Sequence, residues 1–192
     1  LAMFYRAYIN LMGESQATQA SVENKYPNLS PWAKEELEAM DQLGLIPEVL
    51  LGRDMATPIT RGEMCYVAME AYLSLYPNPI FRVEESPFTD ADDPVITKAY
   101  YLGLISGFPD GTFRPDNSIT RGAFAGILDR FLKFQSTSPA GTFSDLSGNY
   151  WEDAILKLHA SGVYLGNNGA ALAGDTITRQ QAVTMIARAF NI

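Results

Sequence analysis

One cysteine and one histidine are all the thiol and imidazole chemistry available to this 192-residue chain. A single Cys65 rules out an internal disulfide, and with it a small disulfide-stapled scaffold. It lies beside an apolar helical stripe, which predicts a buried, inert thiol. His159 has no obvious cysteine or serine partner and is expected to be a structural or surface residue. The motifs H-E-x-x-H and G-x-S-x-G and the phosphate-binding Walker loop are missing. No pair of carboxylates stands out as the acid and base of a glycosidase. An enzyme is therefore not expected, nor is a cofactor or a metal. The acidic cluster Asp90, Asp92 and Asp93 lacks the glycine and closing glutamate of an EF-hand loop.

Positive charge is scarce as well. Lysine and arginine number 14 against 22 aspartates and glutamates, a net charge of −8. A nucleic-acid binder needs a basic face, so no nucleic-acid partner is expected. The same charge argues against bulk attraction to an anionic polymer, so any anion site must be local. No apolar run approaches the ~20 residues of a membrane helix, and no membrane partner is expected. The chain opens inside an apparent helix, so a signal peptide would lie upstream. Apolar residues are plentiful at 47%, enough for one sizeable core or for three small units sharing one.

The strongest pattern is a repeat. Ile-Thr-Arg occurs at Ile59-Thr60-Arg61, Ile119-Thr120-Arg121 and Ile177-Thr178-Arg179, with the threonines 60 and 58 residues apart. A near-constant period of this size marks a repeat architecture. Each copy is followed by apolar residues at helical spacing: Met64, Val67, Ala68, Ala71, Tyr72; then Phe124, Ile127, Leu128, Phe131, Leu132; then Ala182, Met185, Ile186, Ala189, Phe190. That is a helix with one buried face. Threonine is a good N-cap, and Thr60 with Glu63 and Thr178 with Gln181 form capping boxes. Thr120 has Ala123 at the third position, so its box is half lost.

A second helix precedes each copy. The first is expected from Trp32 to about Leu43, with Ser30 as N-cap, Pro31 at its first position and Trp32, Leu37, Met40 and Leu43 on its apolar side. The second runs from about Pro94 to Leu102. The third runs from about Tyr150 to Ala160 with Trp151, Ile155 and Leu158 as its stripe. Gly44, Gly103 and Gly162 follow as stops. Between the helices of the second unit lies G-F-P-D-G-T-F-R-P at 107–115, where Pro109-Asp110-Gly111 signals a tight turn and Phe113 should pack inward. The resulting division is 1–25 as an N-terminal helix and linker, with 1–12 resembling the tail of a further copy, then units at 26–80, 81–137 and 138–192.

The three Ile-Thr-Arg helices, the 107–115 loop, and the starts Phe88-Thr89-Asp90 and Phe143-Ser144-Asp145 together resemble the S-layer homology (SLH) family, over roughly residues 26–192. The resemblance implies an all-α fold of three helix–loop–helix repeats, with short extended pieces in the loops, closed around a pseudo-threefold axis and a shared helical core. An open solenoid is the alternative. It further implies a monomer with an internal pseudo-trimer on the extracellular surface, in the cell wall or S-layer of Gram-positive and related bacteria. There it would be a non-catalytic anchor, bound through inter-repeat grooves to secondary cell-wall polysaccharide linked to peptidoglycan, often ending in a pyruvylated amino sugar. The other reading is a surface protein–protein scaffold with degenerate glycan sites.

The arginine after each threonine occupies the first helical position, where free amides and the helix dipole favour an anion. By resemblance Arg61, Arg121 and Arg179 would hold the ketal carboxylate. The bland alternative is that each arginine pairs with a neighbouring carboxylate. Asp90 and Asp145 could accept sugar hydroxyls or cap local turns. Trp151 could stack on a sugar or belong to the core. Gly107, Asp110, Gly111 and Arg114 could line a groove or simply fix their loop.

Overall fold

The computed structural model describes residues 21–81 and 85–192. The expected helix at 1–12 lies outside the described residues. The fold is all-α, and the described α-helices are α1 (Val22–Lys25), α2 (Lys34–Gln42), α3 (Arg61–Leu75), α4 (Pro94–Tyr101), α5 (Arg121–Leu132), α6 (Glu152–Ala160) and α7 (Arg179–Phe190). Two 3-10 turns, Pro31–Ala33 and Glu48–Leu50, precede α2 and α3. The expected extended pieces reduce, among the described residues, to isolated bridges such as Pro58–Thr178, Thr60–Ser118 and Thr120–Thr176.

The helix starts follow from the caps. Thr60 and Thr178 each sit in a reciprocal box with Glu63 and Gln181, while Thr120 only accepts from the Ala123 amide. Gly44, Gly103 and Gly162 end α2, α4 and α6 with φ of 67°, 73° and 74°, a region open to glycine at little cost.

Two expectations at the helix starts are corrected. Ser30 makes no side-chain cap; its amide donates to Gln180 Oε1 at 2.9 Å and its hydroxyl accepts from Gln180 Nε2 at 3.0 Å. Trp32 is half exposed, because the 3-10 turn points Ala33 inward and turns Trp32 out. The signal missed in the sequence was Asp93. It caps α4 by accepting from the Val95 and Ile96 amides and takes the Tyr66 hydroxyl at 2.7 Å, which accounts for one of the three acids in the 90–93 cluster.

Around the centre, the Ile-Thr-Arg segments donate to one another in a closed cycle. Ile59 N reaches Ile177 O at 3.0 Å, Ile177 N reaches Ile119 O at 3.1 Å, and Ile119 N reaches Ile59 O at 3.3 Å. All three isoleucines are buried. The helices obey the same order: α3 packs on α4, α5 on α6, and α7 returns to α2. Each Ile-Thr-Arg helix thus covers the apolar side of the helix that follows it, and the last closes on the first. The buried stripes, including Met64, Val67, Phe124, Leu128, Met185 and Ile186, join one continuous core. Cys65 lies inside it, and burial pushes its thiol up to about 12, far from reactive.

Candidate ligand site at the arginine seams

Where each Ile-Thr-Arg helix begins, its first turn meets the loop leading into the next one. The meeting is repeated three times. Arg61 N and Gly62 N donate to Asn117 O and Pro115 O, both at 2.8 Å; Arg121 N and Gly122 N donate to Asp175 O and Ala173 O at 2.8 and 2.9 Å; Arg179 N and Gln180 N donate to Thr57 O and Met55 O at 3.1 and 3.0 Å. The next amide in each helix goes to its capping threonine. The first three free donors that a helix start normally offers are therefore consumed internally. The expectation that backbone amides join the arginine on a bound anion is corrected here: only the guanidinium remains.

The three guanidinium groups differ. Arg179 is 8% exposed. Its Nε and Nη2 reach Glu63 Oε2 and Oε1 at 3.0 and 2.9 Å. Its Nη1 reaches Asp54 O at 3.1 Å and also the Thr57 hydroxyl. The structure thus places Arg179 in a buried two-pronged ion pair, not on an open face.

Arg61 is partly buried between rings and carbonyls. Its Nε donates to Phe113 O at 2.8 Å and its Nη2 to Ser106 O at 3.1 Å. The guanidinium lies 4.5 Å from the Phe113 ring centre and 4.9 Å from that of Phe108. Burial lowers its pKa, and nearby Arg114 adds to that, but an arginine stays charged at any ordinary pH. Arg114 covers Phe108 too, at 4.0 Å, and is tied to Asp110 at 2.7 Å. Phe108 and Phe113 form the platform here, and sequence reasoning had given Phe108 no role.

Asp110 also accepts from the Thr112 amide and hydroxyl. These bonds, the Thr112 hydroxyl first and Arg114 next, hold its carboxyl down at about 2. Asp90 accepts from the Phe113 and Arg114 amides at 2.7 and 2.8 Å, and Asp145 from the Ala171 and Leu172 amides at 2.6 and 2.9 Å. Both are held below the usual carboxylate range by those amides. The two aspartates therefore act as equivalent loop clamps. Arg114 and Leu172, the residues clamped, both adopt positive φ. Depressed carboxyls bind fewer protons folded than unfolded. Their support for the loops is present above the ordinary carboxylate range and is lost as pH falls toward the folded values.

Gly107 and Gly111 fix this loop. A Cβ on Gly107 would run into the Phe88 ring and lie 2.9 Å from Thr112 O, while Gly111 has φ of 79°.

Arg121 Nε donates to Ala171 O at a long 3.4 Å, and its guanidinium also meets the Tyr164 hydroxyl. Its guanidinium lies 4.9 Å from the centre of the Tyr164 ring, which is buried and donates its hydroxyl to Ala171 O at 2.7 Å. Tyr164 was a second missed residue, two positions past the Gly162 stop. Among the described residues, no carboxylate lies within ion-pair distance of Arg61 or Arg121.

Trp151 is seated on α5 beside this seam. Its ring covers Gly122 and Gly126, so that an added Cβ would lie 2.5 Å from Cδ1 and from Cε3 respectively. Tyr150, 85% exposed, meets it edge-on at 4.6 Å. Gly126→Ala tests this seat. Alanine favours a helix by about 1 kcal/mol, yet overpacking a rigid ring costs about 1–3 kcal/mol. The denaturant midpoint is expected to fall, whereas in a Trp151→Ala background, where the seat is empty, the same substitution should no longer lower it. A rise in the single variant would show that the ring does not occupy the seat.

This geometry defines a class: an all-α module whose capped helices close in a ring, with arginines at the seams. The sequence model of the S-layer homology domain matches residues 87–125, so that stretch of the chain is similar to that family. Cell surface glycoprotein 1 of Acetivibrio thermocellus is 35% identical over 121 residues, covering 54% of this chain and 5% of that protein. The cellulosome-anchoring protein of the same organism is 34% identical over 91 residues, 44% of this chain and 20% of that protein. The amylopullulanase of Thermoanaerobacterium thermosulfurigenes is 28% identical over 90 residues, 46% of this chain and 5% of that enzyme. The chain thus spans a small fraction of each relative, and the enzyme name attaches to a protein it matches over only that fraction.

Proposed function

We propose that this chain is a non-catalytic module that holds its protein at the cell surface by binding an anionic cell-wall polysaccharide, with a pyruvylated sugar as the recognised group. Residues 26–80, 81–137 and 138–192 are its repeats, arranged about a pseudo-threefold axis. One observation carries the reading: Arg61 and Arg121 sit at equivalent seams, stacked on aromatic rings, with guanidinium donors left over. Stacking and the loop carbonyls orient each fork, and a carboxylate is the ligand that matches it. The naming of one relative as a cellulosome-anchoring protein and of another as a cell surface glycoprotein supports the anchoring role. Among the described residues no helix is long and apolar enough to cross a membrane.

Asp90, Asp145, Asp110 and Arg114 shape the loops around the two seams, and Gly107 and Gly111 permit the tight path of the first. Trp151 and Tyr150 flank the second with aromatic surface. The test is co-sedimentation with purified wall polysaccharide. A charge-assisted bond is worth about 1.5–3 kcal/mol, so Arg61→Ala and Arg121→Ala should each weaken binding at their seam between about 10-fold and about 100-fold. Helical circular dichroism should be retained. Unchanged binding by the double variant would instead favour the surface-scaffold reading. Turnover of wall oligosaccharide would contradict a non-catalytic module.

A further inference from the structure

The three seams are equivalent in backbone but not in what faces the arginine. In the Arg179 seam, the loop at 55–57 leads directly into α3, and the third residue of that helix is Glu63. Its carboxylate fills the guanidinium of Arg179 from 2.9 and 3.0 Å. In the Arg61 seam, the loop at 115–117 leads into α5, whose third residue is Ala123; in the Arg121 seam, the loop at 173–175 leads into α7, whose third residue is Gln181. Neither can neutralise an arginine. With two donors on Glu63 and two more on Asp54 O and the Thr57 hydroxyl, Arg179 has four of its five N–H groups committed. A ligand carboxylate would have to displace a buried, already satisfied partner.

We infer that the third helical position decides which seams bind: Glu63 seals the Arg179 seam as a structural clasp, whereas Ala123 and Gln181 leave the Arg61 and Arg121 seams open, so the module carries two ligand sites. The inference rests on the anchoring function proposed above. It has a gain-of-clasp consequence. Ala123→Glu places a carboxylate opposite Arg61 and also completes the Thr120 capping box; Gln181→Glu does the same opposite Arg121 while keeping its box. Both variants should fold, and neither removes an arginine.

The experiment titrates the chain with a pyruvylated amino-sugar monosaccharide, following the Nε–H NMR signals of the three arginines and the calorimetric stoichiometry. The wild type should bind two equivalents, with Arg61 and Arg121 shifting and Arg179 still and slow to exchange with solvent. Ala123→Glu should silence Arg61 and bind one equivalent; Gln181→Glu should silence Arg121 and bind one. A ligand-dependent Arg179 signal, a stoichiometry of three, or an undiminished Arg61 response in Ala123→Glu would overturn the two-site assignment and leave anchoring intact. No heat and no shift at any arginine would remove both.

Discussion

Glu63→Ala is expected to lower the stability of the fold by about 3–5 kcal/mol, the cost of leaving one partner of a buried ion pair alone. Both side chains are nearly inaccessible, at 10% for Arg179 and 7% for Glu63. The pair joins the start of α7 to the start of α3 across 116 residues of sequence. It therefore helps close the ring where the last helix returns to the first half of the chain. Glu63 also accepts the Thr60 amide at 3.0 Å, so the same substitution opens a capping box, worth roughly 1 kcal/mol more. Domains of this size have only about 5–15 kcal/mol in hand, so the loss should bring the urea midpoint down sharply. Arg179→Met added to Glu63→Ala should recover a large part, because a buried pair replaced by apolar groups is often close to neutral. A single-variant loss under about 1 kcal/mol would mean that the pair behaves as a solvated surface bridge.

Phe113→Ala is expected to cost about 3–5 kcal/mol, as for other buried phenylalanines truncated in a core. The ring is 0% exposed and lies 5.1 Å from that of Phe88. Its own amide is held by Asp90 and its carbonyl accepts Arg61, so the residue ties loop, core and seam together. Removing the ring also takes away one of the two faces on which the Arg61 guanidinium rests, a contact worth about 0.5–2 kcal/mol. Denaturant unfolding should show the stability loss. Under conditions where the variant remains folded, ligand response at Arg61 should weaken while that at Arg121 does not. Equal weakening at both seams would mean that the effect travels through the whole ring and not through the local platform.

The helical framework was legible because its causes are short-ranged. A threonine with glutamate or glutamine three residues on, a glycine after an apolar stripe, and apolar residues at helical spacing each act within one or two turns. Thr60, Thr178, Gly44, Gly103 and Gly162 all sit as those rules require. Where the local rules misled, a distant partner had intervened. Ser30 exchanges bonds with Gln180, 150 residues away, in place of capping its own helix. The glycines at Gly122 and Gly126 look like flaws in a helix until Trp151, just before α6, is laid across them.

The candidate site divides in the same way. That Arg61, Arg121 and Arg179 occupy equivalent positions was already evident from the repeated tripeptide. Their accessibility was not. Which carboxylate, ring or carbonyl meets each guanidinium depends on the cyclic packing that sets every helix start against the loop before the next. Sequence by itself determined the all-α character, the helix caps and the three Ile-Thr-Arg arginines, because those follow from neighbours along the chain. Only the tertiary structure decided that Glu63 closes on Arg179 while Phe108 and Tyr164 lie beside Arg61 and Arg121, because electrostatic pairing and stacking act through space between residues the chain keeps far apart.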